Sequence, residues 1–316
     1  MTIVYVLLCG FLVSGLHGPN GLGLALAEDK VTQDESKIES YQPTNTQLKN
    51  EPRGPVLIYE VDPNSALGGG TASEMERLLN VVERRVNPGA KKIARVRIIE
   101  QSKIEVALLD QNEGDIKRVK RLLERPGTLE FLILANTHDH KSLIERALKN
   151  LDKNVINDPE GKREAWWVPI REGREGSFNN PSIAKRERTI DDKKVTEILV
   201  VQDDYNVTNE YLDIARPGKN QFGRPVVNFV FNSQGGKLFG KLTGDNKPDE
   251  ATGFRRQLGI ILDGNLYAAP FLYSAIFDRG VIEGSFTEQE VDDLVDVLNS
   301  GSLPLRLLLV RKQDHP

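Results

Sequence analysis

Residues 258 to 295 read LGIILDGNLYAAPFLYSAIFDRGVIEGSFTEQEVDDLV, and their punctuation decides how the C-terminal part of the chain folds. Leu258–Leu262 is a short continuous apolar run closed by Asp263-Gly264, and a second apolar segment follows at once. Asp-Gly between two apolar runs predicts a hairpin of buried strands. Pro270 ends the second strand, since it has no amide to donate. Further on, Thr287 stands where it caps the first amides of a helix, and Glu290, three residues later, completes a capping box. Val291, Leu294, Val295 and Leu298 supply that helix, about 288–299, with an apolar face. Asp263 as a general base is the alternative reading of the turn, and the turn chemistry is the stronger one.

Outward from this stretch, Leu305–Val310 forms a last strand, while Pro225–Phe231 and a helix near 235–244 precede the hairpin. At the other end, residues 56–61 predict a strand, and Met75, Leu78, Leu79, Val82 and Val86 lie at helical spacing. Residues 94–99 and 103–109 alternate as strands, a second helix carries Ile116, Val119, Leu122 and Leu123, and 128–134 is a further strand. The order βαββαβ over 55–134 is that of a ferredoxin-like unit. From about 136 to 225 Pro, Gly, Asn and charged residues dominate, with strand-like pieces at 165–170 and 195–202, an irregular α+β region.

The chain has 316 residues, 39% of them hydrophobic and 28% charged, enough for two globular units. Its formal charge is −4 and its Lys and Arg residues are scattered, so no nucleic-acid partner is expected. Met1–Ala27 has no charged side chain; an apolar run from Ile3 to Val13 and the small-x-small pattern Ala25-Leu26-Ala27 read as a signal peptide, with an N-terminal anchor as the alternative. The single cysteine, Cys9, lies within it. Residues 28–54 are polar and aperiodic, a flexible linker. The expected location is therefore exported, periplasmic or in the cell envelope.

The residues that carry chemistry are few. His138-Asp139-His140 is the densest group of potential metal ligands; on an extended segment the two histidines point the same way and offer at most two ligands where a catalytic zinc takes three. A solvated loop is the plainer reading. Gly68–Gly70 lacks the spacing of a phosphate-binding loop. Trp166, Trp167 and Phe178 sit in the irregular region, either as exposed aromatics that grip extended polypeptide or as that region's small core. No cofactor and no small-molecule substrate is expected.

A family resemblance rests on motifs in order. Pro225-Val-Val-Asn-Phe229, Gly236-Lys-Leu-Phe239, Leu262-Asp-Gly264, Ala269-Pro270, Ile282-Glu-Gly284, Phe286-Thr287 and Asn299-Ser-Gly-Ser-Leu-Pro304 follow one another. The N-terminal half adds Arg84-Arg-Val-Asn87 with Gly89, and Thr128-Leu-Glu-Phe131. The sequence resembles the first periplasmic domain of SecD, an accessory subunit of the Sec protein-export machinery. The family's transmembrane block has no counterpart after Val310. The resemblance implies a base, 55–134 plus 285–310, split by an inserted head, 135–284. It implies a non-enzymatic role in export, through contact with emerging polypeptide or with the Sec translocon or a SecD/SecF-type membrane partner. A metal-dependent hydrolase using His138 and His140 is the alternative from another class.

Overall fold

The computed structural model describes residues 52–64, 71–89, 91–110, 112–190 and 192–313. The apolar segment 1–27, most of the linker, Cys9 and Gly68–Gly70 lie outside the described residues. In chain order the elements are β1 (Val56–Val61), α1 (Ala72–Val86), β2 (Ala94–Glu100), β3 (Lys103–Leu108), α2 (Glu113–Glu124), β4 (Leu129–Leu134) and α3 (Lys141–Leu148). There follow β5 (Val155–Asn157), β6 (Arg163–Pro169), β7 (Lys185–Ile190), β8 (Lys193–Val201), β9 (Val207–Thr208), β10 (Leu212–Lys219) and β11 (Pro225–Phe231). Last come α4 (Ser233–Asp245), β12 (Leu258–Leu262), β13 (Asn265–Ala268), β14 (Arg279–Glu283), α5 (Glu288–Ser300) and β15 (Leu307–Gln313). The fold class is α+β.

Alternation builds the first sheet. Leu57, Tyr59 and Val61 of β1 turn inward, and the sheet runs β15-β1-β3-β2 with every neighbour antiparallel. Helix α1, opened by the reciprocal capping box of Thr71 and Glu74, buries Met75, Leu78, Val82 and Val86 against it. The opening of the expected βαββαβ order is thus present, but β4 is not its last strand. That correction has a physical cause: Leu-Glu-Phe-Leu-Ile-Leu is apolar on both faces, and the first sheet has helices on one face only. β4 instead joins an eight-stranded sheet, β13-β12-β4-β8-β6-β5 with β7 on β8 and β9 on β4. There Leu129, Phe131 and Ile133 enter one core while Leu132 and Leu134 enter another. The edge beside β1 is taken by β15, paired Val61↔Leu307 through Val56↔Gln313. Leu305 and Leu307 are buried in the core of the first sheet, whereas Leu309, paired with Tyr59, is exposed.

A third sheet, β10-β11-β14, lies over the largest core. Helix α5, capped as read from Thr287 and Glu290, sends Val291, Leu294 and Leu298 into that core rather than over the first sheet. Its acidic side faces α2 instead, with Asp296 accepting from Arg118 at 2.5 Å and Asp293 from Arg121 at 2.7 Å. Between α2 and β4 the chain is pinned from several sides. The fully buried Arg85 donates to the carbonyls of Leu122 (2.9 Å), Pro126 (2.7 Å) and Gly301 (2.8 Å), to that of Arg125, and to Ser300 Oγ (3.1 Å). Burial lowers its pKa to about 10, with Asp263 acting the other way. Gly127, at φ 78°, leaves room for this guanidinium, since a Cβ there would lie 2.3 Å from Arg85 Nη2. Asp263 and Gly264 have φ of 50° and 74°, as the predicted turn requires, and the Asp263 carboxylate also accepts from the amides of Gly127 (2.6 Å) and Thr128 (3.0 Å). It is a staple as well as a turn residue.

Candidate polypeptide-binding cleft

The cleft begins from an aromatic cluster. β11 alternates Val227, Phe229 and Phe231 into the core, where Phe131 of β4 and Phe239 of α4 meet them. Phe131 lies 5.4 Å from Phe229 and 5.0 Å from Phe239, centroid to centroid, in tilted and edge-on arrangements. Between β13 and β14 the chain, Ala269–Asp278, has no regular structure and is tied at intervals. Pro270 O accepts from Leu258 N, Leu272 N donates to Arg256 O, and Ile276 N donates to Thr243 Oγ1. Leu272 plugs into the core, but the side chains beside it stay outside: Phe271 is 42% exposed, Tyr273 54% and Phe277 60%.

Between this segment and the sheets lies a narrow cleft of about 20 Å³. Phe229 and Ile260 form its depth and Phe271 and Val281 its mouth, and no charged side chain lines it. Gly280 shapes it: a Cβ there would stand 2.4 Å from Phe229 Cζ, so the buried Phe229 ring can pack directly on the strand backbone. Charges are kept to the rim, where Asp278 and Arg279 pair at 2.7 Å and the Arg255 guanidinium lies 4.6 Å over the Tyr273 ring. The exposed aromatics of this segment beside an uncharged cleft make a surface that favours apolar partners.

The aromatics singled out in the sequence are elsewhere. Trp167 and Phe178 are buried in two separate cores, so they are core residues and not exposed grips. Trp166 is half-buried with Arg163 4.2 Å above its ring. The exposed aromatics of this segment, Phe271, Tyr273 and Phe277, lay in the opening stretch, and their signal was an aromatic-rich run between Pro270 and Asp278 with neither strand nor helix period.

Residues 137–139 form a turn rather than an extended segment. His138 stacks on Phe254 (4.6 Å, 3° between planes), and His140 Nδ1 accepts from Asn136 N at 3.3 Å. Burial lowers the His140 pKa. Asp139 takes a two-pronged ion pair from Arg256, both bonds 2.8 Å. These side chains fasten residues 247–256 to the start of α3, and among the described residues no group of three or more His, Cys, Asp or Glu could hold a metal ion. Burial acts to raise the Asp139 pKa, but the bonds from Arg256, His138 and Asn136 outweigh it and hold the carboxyl at about 2. Its contribution is thus complete above the ordinary carboxylate range and is lost as pH falls to about 2. Asp139→Asn should cost ~1–2 kcal/mol at pH 5 and progressively less as pH falls through about 2; urea titrations of both proteins across that range check it, and a pH-independent difference would refute it.

Comparison with known proteins agrees with the motifs. Residues 184–305 match the family described as SecDF, P1 head subdomain. The chain is thus similar to members of the SecD family, over the part that forms that family's first periplasmic domain. It is 28% identical over 199 residues to the protein translocase subunit SecD of Aquifex aeolicus, which covers 63% of this chain and 31% of that protein. It is 27% identical over 255 residues to the translocase subunit SecDF of Thermus thermophilus, 79% of this chain and 29% of that protein. The chain therefore spans about a third or less of the length of these relatives. In fold it is similar, at 24% identity and a TM-score of 0.52, to a solved SecDF structure described as a membrane component that enhances protein export, covering 81% of this chain and 98% of that one.

Proposed function

We propose that this chain assists Sec-dependent protein export, without catalysis, by holding exported polypeptide at the apolar cleft. The observation that carries the reading is the exposure of Phe271, Tyr273 and Phe277 on the segment that borders an uncharged cleft, in a chain whose relatives are translocase subunits. Apolar side chains exposed together on one segment, unlike single ones, mark an interaction surface. The family places such domains on the periplasmic side, in keeping with the charge-free N-terminal segment; among the described residues no helix is long and apolar enough to cross a membrane. In this reading the first sheet with α1 and α2 is a base, the remainder a head, and the Sec translocon or a SecF-type subunit the neighbour that receives it.

Phe271→Asp places a charge at the mouth of the cleft on a residue that is already part-exposed, so the fold survives it. We expect the variant to bind a reduced, alkylated unfolded polypeptide at least about tenfold more weakly than the parent, an effect of the size set by burying a charge without a partner. Fluorescence anisotropy measures it. Equal affinity in the two proteins would remove the cleft from consideration.

A further inference from the structure

We infer that the polypeptide enters the cleft as an added β-strand, docked on the free edge of β14. The inference rests on the cleft reading above and concerns how that site recognises its ligand. β14 is the last strand of its sheet and, among the described residues, pairs only with β11. Phe231 N donates to Asp278 O at 2.8 Å, which fixes the phase of the ladder. In an antiparallel pair, residues that exchange hydrogen bonds alternate with residues that do not. With Phe229↔Gly280 and Val227↔Ile282 as bonded pairs, Arg279, Val281 and Glu283 turn their N–H and C=O groups away from β11. None of these residues is buried, so this row of donors and acceptors is open.

The edge and the cleft share residues. Gly280 and Val281 belong to both, and at Gly280 the Phe229 ring packs directly on the backbone of the edge strand. A strand laid beside β14 would direct every second side chain, those level with Gly280 and Ile282, toward Phe229 and Ile260, and the others toward solvent. The lining has no charge, so the side chains that complement it are uncharged. The occupant is accordingly an extended segment of another polypeptide with apolar residues at alternate positions. Its backbone supplies the affinity common to any sequence, and the cleft supplies the preference.

The test uses the full chain and a short fluorescein-labelled peptide alternating threonine with valine. Val281→Pro removes one outward N–H, spares the β11 ladder because Val281 is in a non-bonded pair, and is tolerated at an edge. It should weaken binding about five- to tenfold. Independently of any variant, N-methylation of alternate peptide residues should abolish binding when one set is methylated and leave it nearly intact when the other is. Amide exchange at Val281, already slow at Ile282, should become slow on binding. If Val281→Pro and both methylated peptides bind as the parents do while Phe271→Asp does not, strand addition is wrong and the cleft reading stands. If the unmodified peptide does not bind the parent protein at all, both fall.

Discussion

Arg85→Met is expected to lower the free energy of unfolding by about 3–5 kcal/mol, the range for breaking a buried charged network. The guanidinium has no solvent exposure and serves five acceptors at once: the end of α2, the link Arg125–Pro126 and the end of α5. Met fills much of the volume but leaves several carbonyls dry and unpaired, at roughly 1–3 kcal/mol for a single buried group. Arg85→Lys should recover little, because a single ammonium with three donors cannot span a planar fork's partners. Urea unfolding followed by circular dichroism measures both. Losses under about 1 kcal/mol would show that water reaches these carbonyls and that the clamp is dispensable.

Removing residues 302–316 should cost more still. It deletes β15, the only strand on one side of β1, together with the buried Leu303, Leu305 and Leu307. At about 1.5–3 kcal/mol for each buried leucine, some 5–9 kcal/mol of apolar burial disappears, comparable with the whole stability of a domain. β1 also becomes a bare apolar edge, which invites aggregation. The truncated protein should sediment as aggregate or lose cooperative melting of the first sheet. Should it prove impossible to isolate, Leu305→Ala alone is expected to cost about 2–5 kcal/mol. An unchanged melting temperature in either protein would mean that β15 does not hold the sheet.

Much of this architecture was legible because its signals are local. The Asp263-Gly264 turn, the capping box of Thr287 and Glu290, and the periodic faces of α1 and α2 each act within a few residues. What could not be read was which sheet a strand joins. The two-faced burial of β4 was visible in its composition, yet only the presence of helices on one face of the first sheet excluded it from there. β10 was hidden by Pro217 and Gly218, tolerable because it is an edge strand, and α3 by its eight residues and the polar turn before it. The cleft was least legible, since it gathers Phe131, Phe229, Ile260 and Phe271 from places far apart in the chain, and none is unusual where it stands.

The side-by-side strands of chain that leave and re-enter the first sheet bear on the order in which the protein can fold. Leu303 N bonds Pro126 O at 2.8 Å, although nearly the whole of β4 through α5 lies between them. For an unstructured insert, closing so long a loop carries an entropic cost that grows as the logarithm of its length. Once the insert is folded its two ends already lie together, and that cost vanishes from the last step. β1, β2 and β3 are synthesised early and can pair with one another, but the second edge of β1 must wait for a partner at the far end of the chain, a pairing of high contact order. A chain emerging N-terminus first therefore holds that edge of β1 open until β15 arrives.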